Sequence, residues 1–459
     1  MLLFARLTKL RSKKDVSRRE NCLKQAVILA GGKGSRLSSR LNGLPKPMVD
    51  FDGKPLLWYQ LRLLDKYGFD EVLILVNYLS DKIIEYVNQT DFGDMHVECV
   101  HEVSPLGTAG AVLSIYEKLH PTFLVVYGDT MLDVNLDRFT AYHYEKSECD
   151  VTLFVHPNSH PHDSDLVEVD DKSCVVAFHN YPHNAELYLQ NLVNAALYMI
   201  NRDCLLPMFN LEMNLLDFGK HIFPELLRLG IQIRAYNSPE YIKDCGTPDR
   251  LDSAIQDYKS GKILNARLDN PQKVIFLDRD GTINYDVGHL NNEKDLVLFD
   301  GVADAIKLIN NSHYRCIIIT NQPVIARGEC SYADVQKIHN IIEMTIGAEG
   351  AFIDRFYFCP HHPDSGFENE RAELKVLCKC RKPGTGLLDR ASIDFNIDFS
   401  SSWFIGDTTV DIMTAKNCNL SSVLVQTGAA GMDGKFQVEA DYTAPDLLRA
   451  VKLILAKDV

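Results

Sequence analysis

Twice along this chain a short run of aliphatic and β-branched residues stops at a turn rich in Gly or Asp. Ala26-Val-Ile-Leu-Ala30 runs into Gly31-Gly32, and Val274-Ile-Phe-Leu277 runs into Asp278. Runs that are apolar on both faces mark parallel strands covered by helices, because a strand with one wet face alternates instead. The carboxyl end of such a strand is where α/β folds seat ligands. Further runs of this kind alternate with helical stretches in both halves: Val72-Leu-Ile-Leu-Val76, Phe123-Leu-Val-Val-Tyr127, Cys316-Ile-Ile-Ile-Thr320 and Trp403-Phe-Ile405. The expected fold class is α/β, with two Rossmann-like domains built on mainly parallel sheets.

At 459 residues and 46% hydrophobic content the chain exceeds the size at which one core usually stops growing, so two domains are expected. Between Tyr258 and Gln272 the sequence turns polar, with Gly261 and Pro271. The expected organisation is a basic, disordered leader over 1–24, a first domain over 25–258, a linker over 259–272 and a second domain over 273–459. The leader carries Arg6, Lys9, Arg11, Lys13, Lys14, Arg18, Arg19 and Lys24, and its apolar run, Met1 to Ala5, is too short for a signal-peptide core or a membrane span. No later run is long enough to cross a bilayer, and no repeat at solenoid spacing occurs.

Lys+Arg 48 against Asp+Glu 62 leaves a net charge of −14. That field repels nucleic acid and anionic lipid, so a phosphorylated substrate has to be held by local basic groups and metal ions. The twelve cysteines are scattered apart from Cys359, Cys378 and Cys380, which fits a reducing cytoplasm.

In the second half, Asp278-Arg-Asp-Gly-Thr-Ile-Asn284 sets two carboxylates two residues apart just past a buried strand. Phosphomonoester hydrolysis needs an attacking oxygen, a cation and an acid for the leaving alkoxide; Asp278 and Asp280 can supply the first and third. Three more pieces follow in order: Thr320-Asn321 after a strand, Lys382 in Cys380-Arg-Lys-Pro383, and Gly406-Asp407-Thr-Thr-Val-Asp411. A hydroxyl, an ammonium and a carboxylate pair complete a phosphate and Mg²⁺ site.

These four segments, spanning residues 274–430, resemble the haloacid dehalogenase (HAD) superfamily. The resemblance implies Asp278 as nucleophile, Asp280 as general acid and base, Thr320, Asn321 and Lys382 around the phosphate, and Mg²⁺ held by Asp278, Asp280 and Asp407. An acid at position 280 is the mark of the superfamily's phosphatases rather than its dehalogenases.

Cys359-Pro-His361 and Cys378-Lys-Cys380 offer three sulfurs and one imidazole, two ligands per short turn, with sixteen residues from His362 to Leu377 between them. That spacing is a structural Cys₃His zinc set, closed at four ligands, with His361 or the adjoining His362 as the imidazole. It runs straight into Arg381-Lys382, so zinc would fix a substrate-facing loop. The arrangement resembles the capless phosphatases of D-glycero-D-manno-heptose 1,7-bisphosphate and of histidinol phosphate. Thr320-Asn-Gln322 and Ile325-Ala-Arg-Gly328 match that group, whereas Pro323-Val324 and Val287-Gly-His-Leu290 depart from its usual Ser-Gly and Gly-Tyr-Val.

In the first half, the glycines of Ala30-Gly-Gly-Lys-Gly-Ser-Arg-Leu37 (Gly31, Gly32 and Gly34) let backbone N–H groups approach a triphosphate. Arg36 can pair with a departing pyrophosphate, and Leu44-Pro-Lys-Pro-Met48 offers Lys46. The loop lacks the Gly-Lys-Ser/Thr ending of a Walker motif. Val125-Val-Tyr-Gly-Asp129 and Lys243-Asp-Cys-Gly-Thr-Pro248 each end an extended run in a carboxylate, so Asp129 and Asp244 are expected to hold a second Mg²⁺. Leu106-Gly-Thr-Ala-Gly110 is a second glycine loop opening a helix, where Gly107 would admit a base or sugar.

Residues 25–258 resemble the sugar-1-phosphate nucleotidyltransferases, and the Leu-Pro-Lys-Pro-Met form is similar to their heptose-1-phosphate guanylyltransferase branch. The resemblance implies Arg36 and Lys46 on phosphates, Asp129 and Asp244 on metal, and Glu102 and Asn194 on nucleotide or sugar. Where that family carries Phe-x-Glu-Lys, this chain reads Phe178-His-Asn-Tyr181. Either His179 or His183 replaces the lysine, or this half binds a nucleotide sugar without turning it over.

The two resemblances together imply a bifunctional enzyme. Its partners would be a sugar phosphate and a nucleoside triphosphate, GTP by branch, and its product GDP-heptose for surface polysaccharide. The alternative is a phosphatase for histidinol phosphate or another small monoester beside a silent nucleotide-sugar-binding half.

Overall fold

The computed structural model describes residues 24–145, 149–184, 187–211 and 215–458. Apart from Lys24, the expected basic leader lies outside them. The chain packs as two compact units, one of Met1–Thr130, Met199–Leu216 and Gly246–Pro248, the other of Met131–Tyr198, Asp217–Cys245 and Asp249–Val459. Among the described residues no helix is long and apolar enough to cross a membrane, and every cysteine is a free thiol.

The first unit is built on parallel strands in the spatial order Thr122–Tyr127, Gln25–Leu29, Glu71–Val76, His96–His101. The first three of these runs are those that read as apolar on both faces, and they are buried. The helix Leu56–Lys66 lays Leu56, Leu57, Leu61 and Leu64 into this core. Its buried Gln60 donates from Nε2 to Tyr127 O (2.9 Å) and Thr130 O (2.7 Å), which ties the helix to the turn carrying Asp129. At Gly128 a Cβ would stand 2.8 Å from Leu29 O and 3.0 Å from Pro47 Cγ. Only glycine lets this turn lie against the 45–48 segment, and that approach brings Asp129 to Lys46.

The second unit contains a six-stranded, wholly parallel sheet in the order Arg355–Cys359, Tyr314–Asn321, Lys273–Leu277, Trp403–Gly406, Ser421–Val425, Tyr442–Ala444. Successive side chains alternate between its faces. Ile275, Leu277, Cys316 and Ile318 join Val302–Asn310, Tyr332–Ala348 and Leu447–Lys457 in one buried cluster. Val274, Phe276, Ile317 and Ile319 join Leu387, Leu388, Ala391 and Phe395 of the helix Gly386–Phe395 in the other. The carboxyl ends of the three central strands meet at Asp278, Asn321 and Asp407. The same unit holds the parallel pair Val151–His156 and Ile233–Asn237 and the antiparallel pair Leu166–Val169 and Val175–His179.

The helix Tyr332–Ala348 explains why residues 158–184 and 187–191 pack with the second half. One flank buries Ile338, Ile342 and Ile346 on the sheet. Along another, Asn340 Nδ2 donates to Tyr188 O (3.1 Å), His162 Nε2 lies 2.9 Å from Met344 O, and Asn191 N–H reaches Glu343 Oε2 (3.3 Å). Gly347 leaves room for Pro161, whose Cγ would be 2.5 Å from a Cβ there.

Glu343 makes this contact sensitive to pH. Burial pushes its carboxyl up to about 7, against smaller opposing effects of the Asn191 N–H and Arg355. Because this folded pKa lies above the unfolded one, the group's contribution is whole below the unfolded value and lost as pH rises through about 7. Glu343→Gln keeps an acceptor without the charge. It is expected to raise stability at pH 8 by up to about 3 kcal/mol and to change little at pH 4.5. Paired thermal unfolding at the two pH values measures this; equal stabilisation at both would show that ionisation of Glu343 is not the cause.

Candidate active sites

Asp278 leaves the strand Lys273–Leu277 almost fully buried, its N–H bonded to Ile405 O (3.0 Å). The buried Lys382 ammonium lies 2.6 Å from Asp278 Oδ1 and 2.6 Å from Asp411 Oδ1. Asp411 also closes the capping box of the helix Thr409–Asn417 with Thr408, which fixes its position. Asn321 clamps the lysine's loop, accepting from Lys382 N (2.9 Å) and donating to Lys382 O (3.2 Å). Its amide is therefore engaged with backbone, and it acts by placing Lys382. Thr320 is buried, its hydroxyl accepting from Gln322 Nε2 (2.9 Å).

Asp407 completes the centre. Its Oδ2 accepts from Ala429 N (2.7 Å), while Oδ1 is buried without a hydrogen-bond partner. At Gly281, with φ +80°, a Cβ would sit 2.3 Å from Asp407 Oδ2, so the motif's glycine admits the carboxylate. Oxygens of Asp278, Asp407 and Asp411 all lie within 4.8 Å of one another. One ammonium faces three buried carboxylates. Burial, with Asp411 and Asp407 nearby, drives Asp278 well above the usual carboxylate range despite Lys382. Burial chiefly raises Asp407 to about 7. Burial opposes the charge on Lys382, but Asp278 and Asp411 outweigh it and raise its pKa. An all-oxygen set with excess negative charge and an orphaned oxygen fits a hard divalent cation such as Mg²⁺.

The Asp280 carboxylate, expected among the metal ligands, stands outside this group, and the third carboxylate that lies with Asp278 and Asp407 is that of Asp411. The reason is Arg279, a fully buried side chain between the two motif aspartates. Its Nη2 reaches both oxygens of Asp280 (2.8 and 2.8 Å) and Gln322 Oε1 (3.0 Å), and Nη1 lies 3.3 Å from Nε2 of the buried His339. Gln322 Nε2 and Asn284 Nδ2 also donate to Asp280 (2.9 Å each). Burial would raise Asp280, but Arg279, Asn284 and Gln322 hold it below the usual range. Sequence reasoning passed over Arg279 and His339; the available signal was a guanidinium inside an otherwise acidic, strand-terminating motif.

Cys359, His361, Cys378 and Cys380 converge, one donor atom from each within 4.8 Å of the others. Sulfur separations are 3.3 to 3.5 Å, and His361 Nδ1 lies 3.2 Å from Cys380 Sγ. The donors suit tetrahedral zinc, whose ligand-to-ligand edges are about 3.8 Å for sulfur. Of the two imidazoles, His361 is the one that joins. His362 turns instead to Arg327, its Nε2 3.3 Å from Arg327 Nη2. Arg381 donates to His361 O (3.3 Å), and burial, with a smaller effect of Arg327, disfavours its charge. Arg327 and Arg381 thus form a basic patch beside the zinc loop, and burial, with both arginines, disfavours charge on the adjoining His362.

In the first unit, Lys46 pairs with Asp129. Glu102 Oε1 presses on Gly31, 2.7 Å from where a Cβ would stand, and burial raises its pKa. Gly32 has open space around it, Gly34 has φ +63°, and Arg36 is exposed. Gly107 answers to the chain itself: a Cβ there would lie 2.4 Å from Leu216 O, which accepts from Ala109 N (2.9 Å). In the second unit, Asp244 pairs with Arg250 (2.7 Å). Asn194 Nδ2, Asn180 Oδ1 and Asp217 Oδ1 stand 3.4, 3.5 and 3.6 Å from the position of a Cβ on Gly219. Asn194 Oδ1 is buried without a partner. His179 Nε2 lies 2.9 Å from Glu168 Oε2 and His183 Nε2 3.1 Å from Pro161 O, so both expected substitutes for the missing lysine are engaged.

Comparison with known proteins agrees with both halves. The nucleotidyl transferase family matches residues 25–261, and the HAD-hydrolase-like family matches residues 379–450. The D-glycero-D-manno-heptose-1,7-bisphosphate 7-phosphatase of Thermosynechococcus vestitus is 36% identical over 191 residues, 40% of this chain and 96% of its own length. The D-glycero-beta-D-manno-heptose-1,7-bisphosphate 7-phosphatase of Yersinia pestis is 34% identical over 184 residues, 40% of this chain and 95% of its own. Among solved structures, HddC from Yersinia pseudotuberculosis complexed with GMP-PN shows 23% identity and a TM-score of 0.44, over 51% of this chain and 100% of that one. The chain belongs to the nucleotidyl transferase family through its N-terminal half and to the HAD-type heptose-1,7-bisphosphate 7-phosphatases through its C-terminal half.

Proposed function

We propose that this enzyme makes and then activates a sugar 1-phosphate in the cytoplasm. It removes the C7 phosphate of D-glycero-D-manno-heptose 1,7-bisphosphate and then joins the 1-phosphate to GMP from GTP, yielding GDP-heptose for surface polysaccharide. The observation that carries the substrate is the pair of guanidiniums, Arg327 and Arg381, at the zinc loop that runs on into Lys382, which suits a second anionic group on the sugar. The pairing with a transferase half favours the heptose over histidinol phosphate, whose product a nucleotidyltransferase has no use for.

In the first half-reaction Asp278 attacks phosphorus, Lys382 and Thr320 hold the phosphoryl oxygens, and Asp280, ionised in the resting site, takes up a proton as substrate enters and passes it to the departing alkoxide. Asp280 then takes a proton from the water that cleaves the phosphoaspartate. Asp278, Asp407 and Asp411 would hold Mg²⁺, which offsets phosphate charge when bound. In the transferase half, Arg36 and Lys46 are assigned to phosphates, Asp129 and Asp244 to a second Mg²⁺, and Glu102 and Asn194 to nucleotide or sugar.

Incubating the purified chain with the bisphosphate, GTP and Mg²⁺ should yield phosphate, pyrophosphate and GDP-heptose. Phosphate without any nucleotide sugar would refute the second step. Asn180 and Tyr181, standing where Glu-Lys is usual, favour a second reading in which the N-terminal half binds nucleotide sugar without turnover.

Zinc at Cys359, His361, Cys378 and Cys380 would brace the loop that carries Arg381 and Lys382. Metal analysis should find about one tightly held zinc per chain. Mild chelation is expected to raise KM roughly tenfold before kcat falls or the fold melts. Zinc-free protein with an unchanged KM would remove this role.

A further inference from the structure

His339 is buried in the helix Tyr332–Ala348, where its neighbours are mostly apolar. Its ring stacks on Phe356, with centroids 4.5 Å apart and planes at 22°, and meets Phe358 edge-on at 5.6 Å. Nε2 lies 3.3 Å from Arg279 Nη1, and Nδ1 is buried with no hydrogen-bond partner. A guanidinium can only donate, so Nε2 is the bare, accepting nitrogen and the ring proton stands on Nδ1. Burial, with the adjoining Arg279 charge, pushes the imidazole pKa well below its usual value and keeps the ring neutral. A phenyl ring would pack here with no N–H left unpaired, so what the imidazole adds is an acceptor.

That acceptor serves the part of Arg279 that Asp280 and Gln322 leave over. The guanidinium meets Asp280 through Nε (3.1 Å to Oδ1) and Nη2 (2.8 Å to each oxygen), and Nη2 also reaches Gln322 Oε1 (3.0 Å). Among the described residues, Nη1 has its one acceptor in His339. The group is planar and rigid, so holding its far nitrogen fixes the direction of the edge that meets Asp280. We propose that His339 is a positioning residue of the phosphatase, acting through Arg279 to hold the Asp280 carboxylate where it passes a proton to the leaving alkoxide. This rests on the reading of Asp280 as general acid. Misplacing such a group by about 1 Å costs on the order of 10²-fold in rate.

A sugar alkoxide needs that proton, whereas acetate leaves as a stable anion without one. The full chain with Mg²⁺ is assayed for phosphate release from the heptose bisphosphate and from acetyl phosphate. The comparison uses kcat/KM, which counts steps only up to departure of the leaving group, so later hydrolysis of the phosphoaspartate does not enter. His339→Phe, which keeps the stacked ring and loses the acceptor, should lower kcat/KM at least about tenfold for the bisphosphate and less than about twofold for acetyl phosphate. His339→Gln, whose amide oxygen can stand near the place of Nε2, should recover most of that loss. His339→Leu serves in place of the phenylalanine variant if that one does not fold. Equal losses on both substrates, no loss on either, or a glutamine variant no better than phenylalanine would overturn the proposal. Asp280→Asn separates the two readings. An equal loss on both substrates there removes Asp280 as the acid and this inference with it, whereas a loss confined to the bisphosphate there, beside an even loss in His339→Phe, overturns the role of His339 alone.

Discussion

Asp278→Asn is expected to lower phosphate release from the heptose bisphosphate by at least about 10⁴-fold while GDP-heptose formation from added heptose 1-phosphate and GTP continues. The amide has nearly the carboxylate's shape but cannot attack phosphorus. The substitution also relieves crowding, since Asp278, Asp407 and Asp411 share one ammonium from Lys382. The thermal midpoint should therefore not fall, which separates lost chemistry from lost structure. Phosphate release within tenfold of the unaltered enzyme would sink Asp278 as nucleophile. Loss of both activities in a folded variant would mean that the halves do not work independently.

Local patterns were legible in the sequence because they need no knowledge of packing. The strand before Asp278 is apolar on both faces, and its alternate residues do enter the two core clusters of the sheet. Two ligands per short turn were enough to identify the cysteine cluster, because residues two apart in an extended turn converge on one point. What escaped depends on where long side chains go. Arg279 reads as one more surface charge, yet it is fully buried and draws the Asp280 carboxylate away from those of Asp278, Asp407 and Asp411. Asp411 reads as half of a carboxylate pair, and only the meeting of its helix with the Lys382 loop gives it the third position. At Gly107 the space that a side chain would take is filled by the Leu216 carbonyl, which no motif foretells. The packing of residues 158–184 and 187–191 on the helix Tyr332–Ala348 has no motif at all. It rests on backbone acceptors and on the shape of Gly347 against Pro161, and neither is visible before folding.

Asp129→Ala should reduce pyrophosphate formation by at least about 10²-fold, because a carboxylate assigned to the metal is harder to replace than a group that merely orients a ligand. Phosphate release should stay unchanged. The fold tolerates the loss, since Gln60 and Gly128, not Asp129, hold the turn in place. Asp129 now neutralises Lys46. On the proposed reading that ion pair is a resting arrangement, opened when a triphosphate brings metal to the carboxylate and draws the ammonium onto its phosphates. Lys46→Ala should accordingly raise the KM for GTP more than Asp129→Ala does, and Asp129→Ala should depress kcat more. The comparison also decides between turnover and silent binding. A silent half forms no pyrophosphate in the unaltered chain, and Asp129→Ala would then change only the affinity for nucleotide sugar, leaving no kcat to lose.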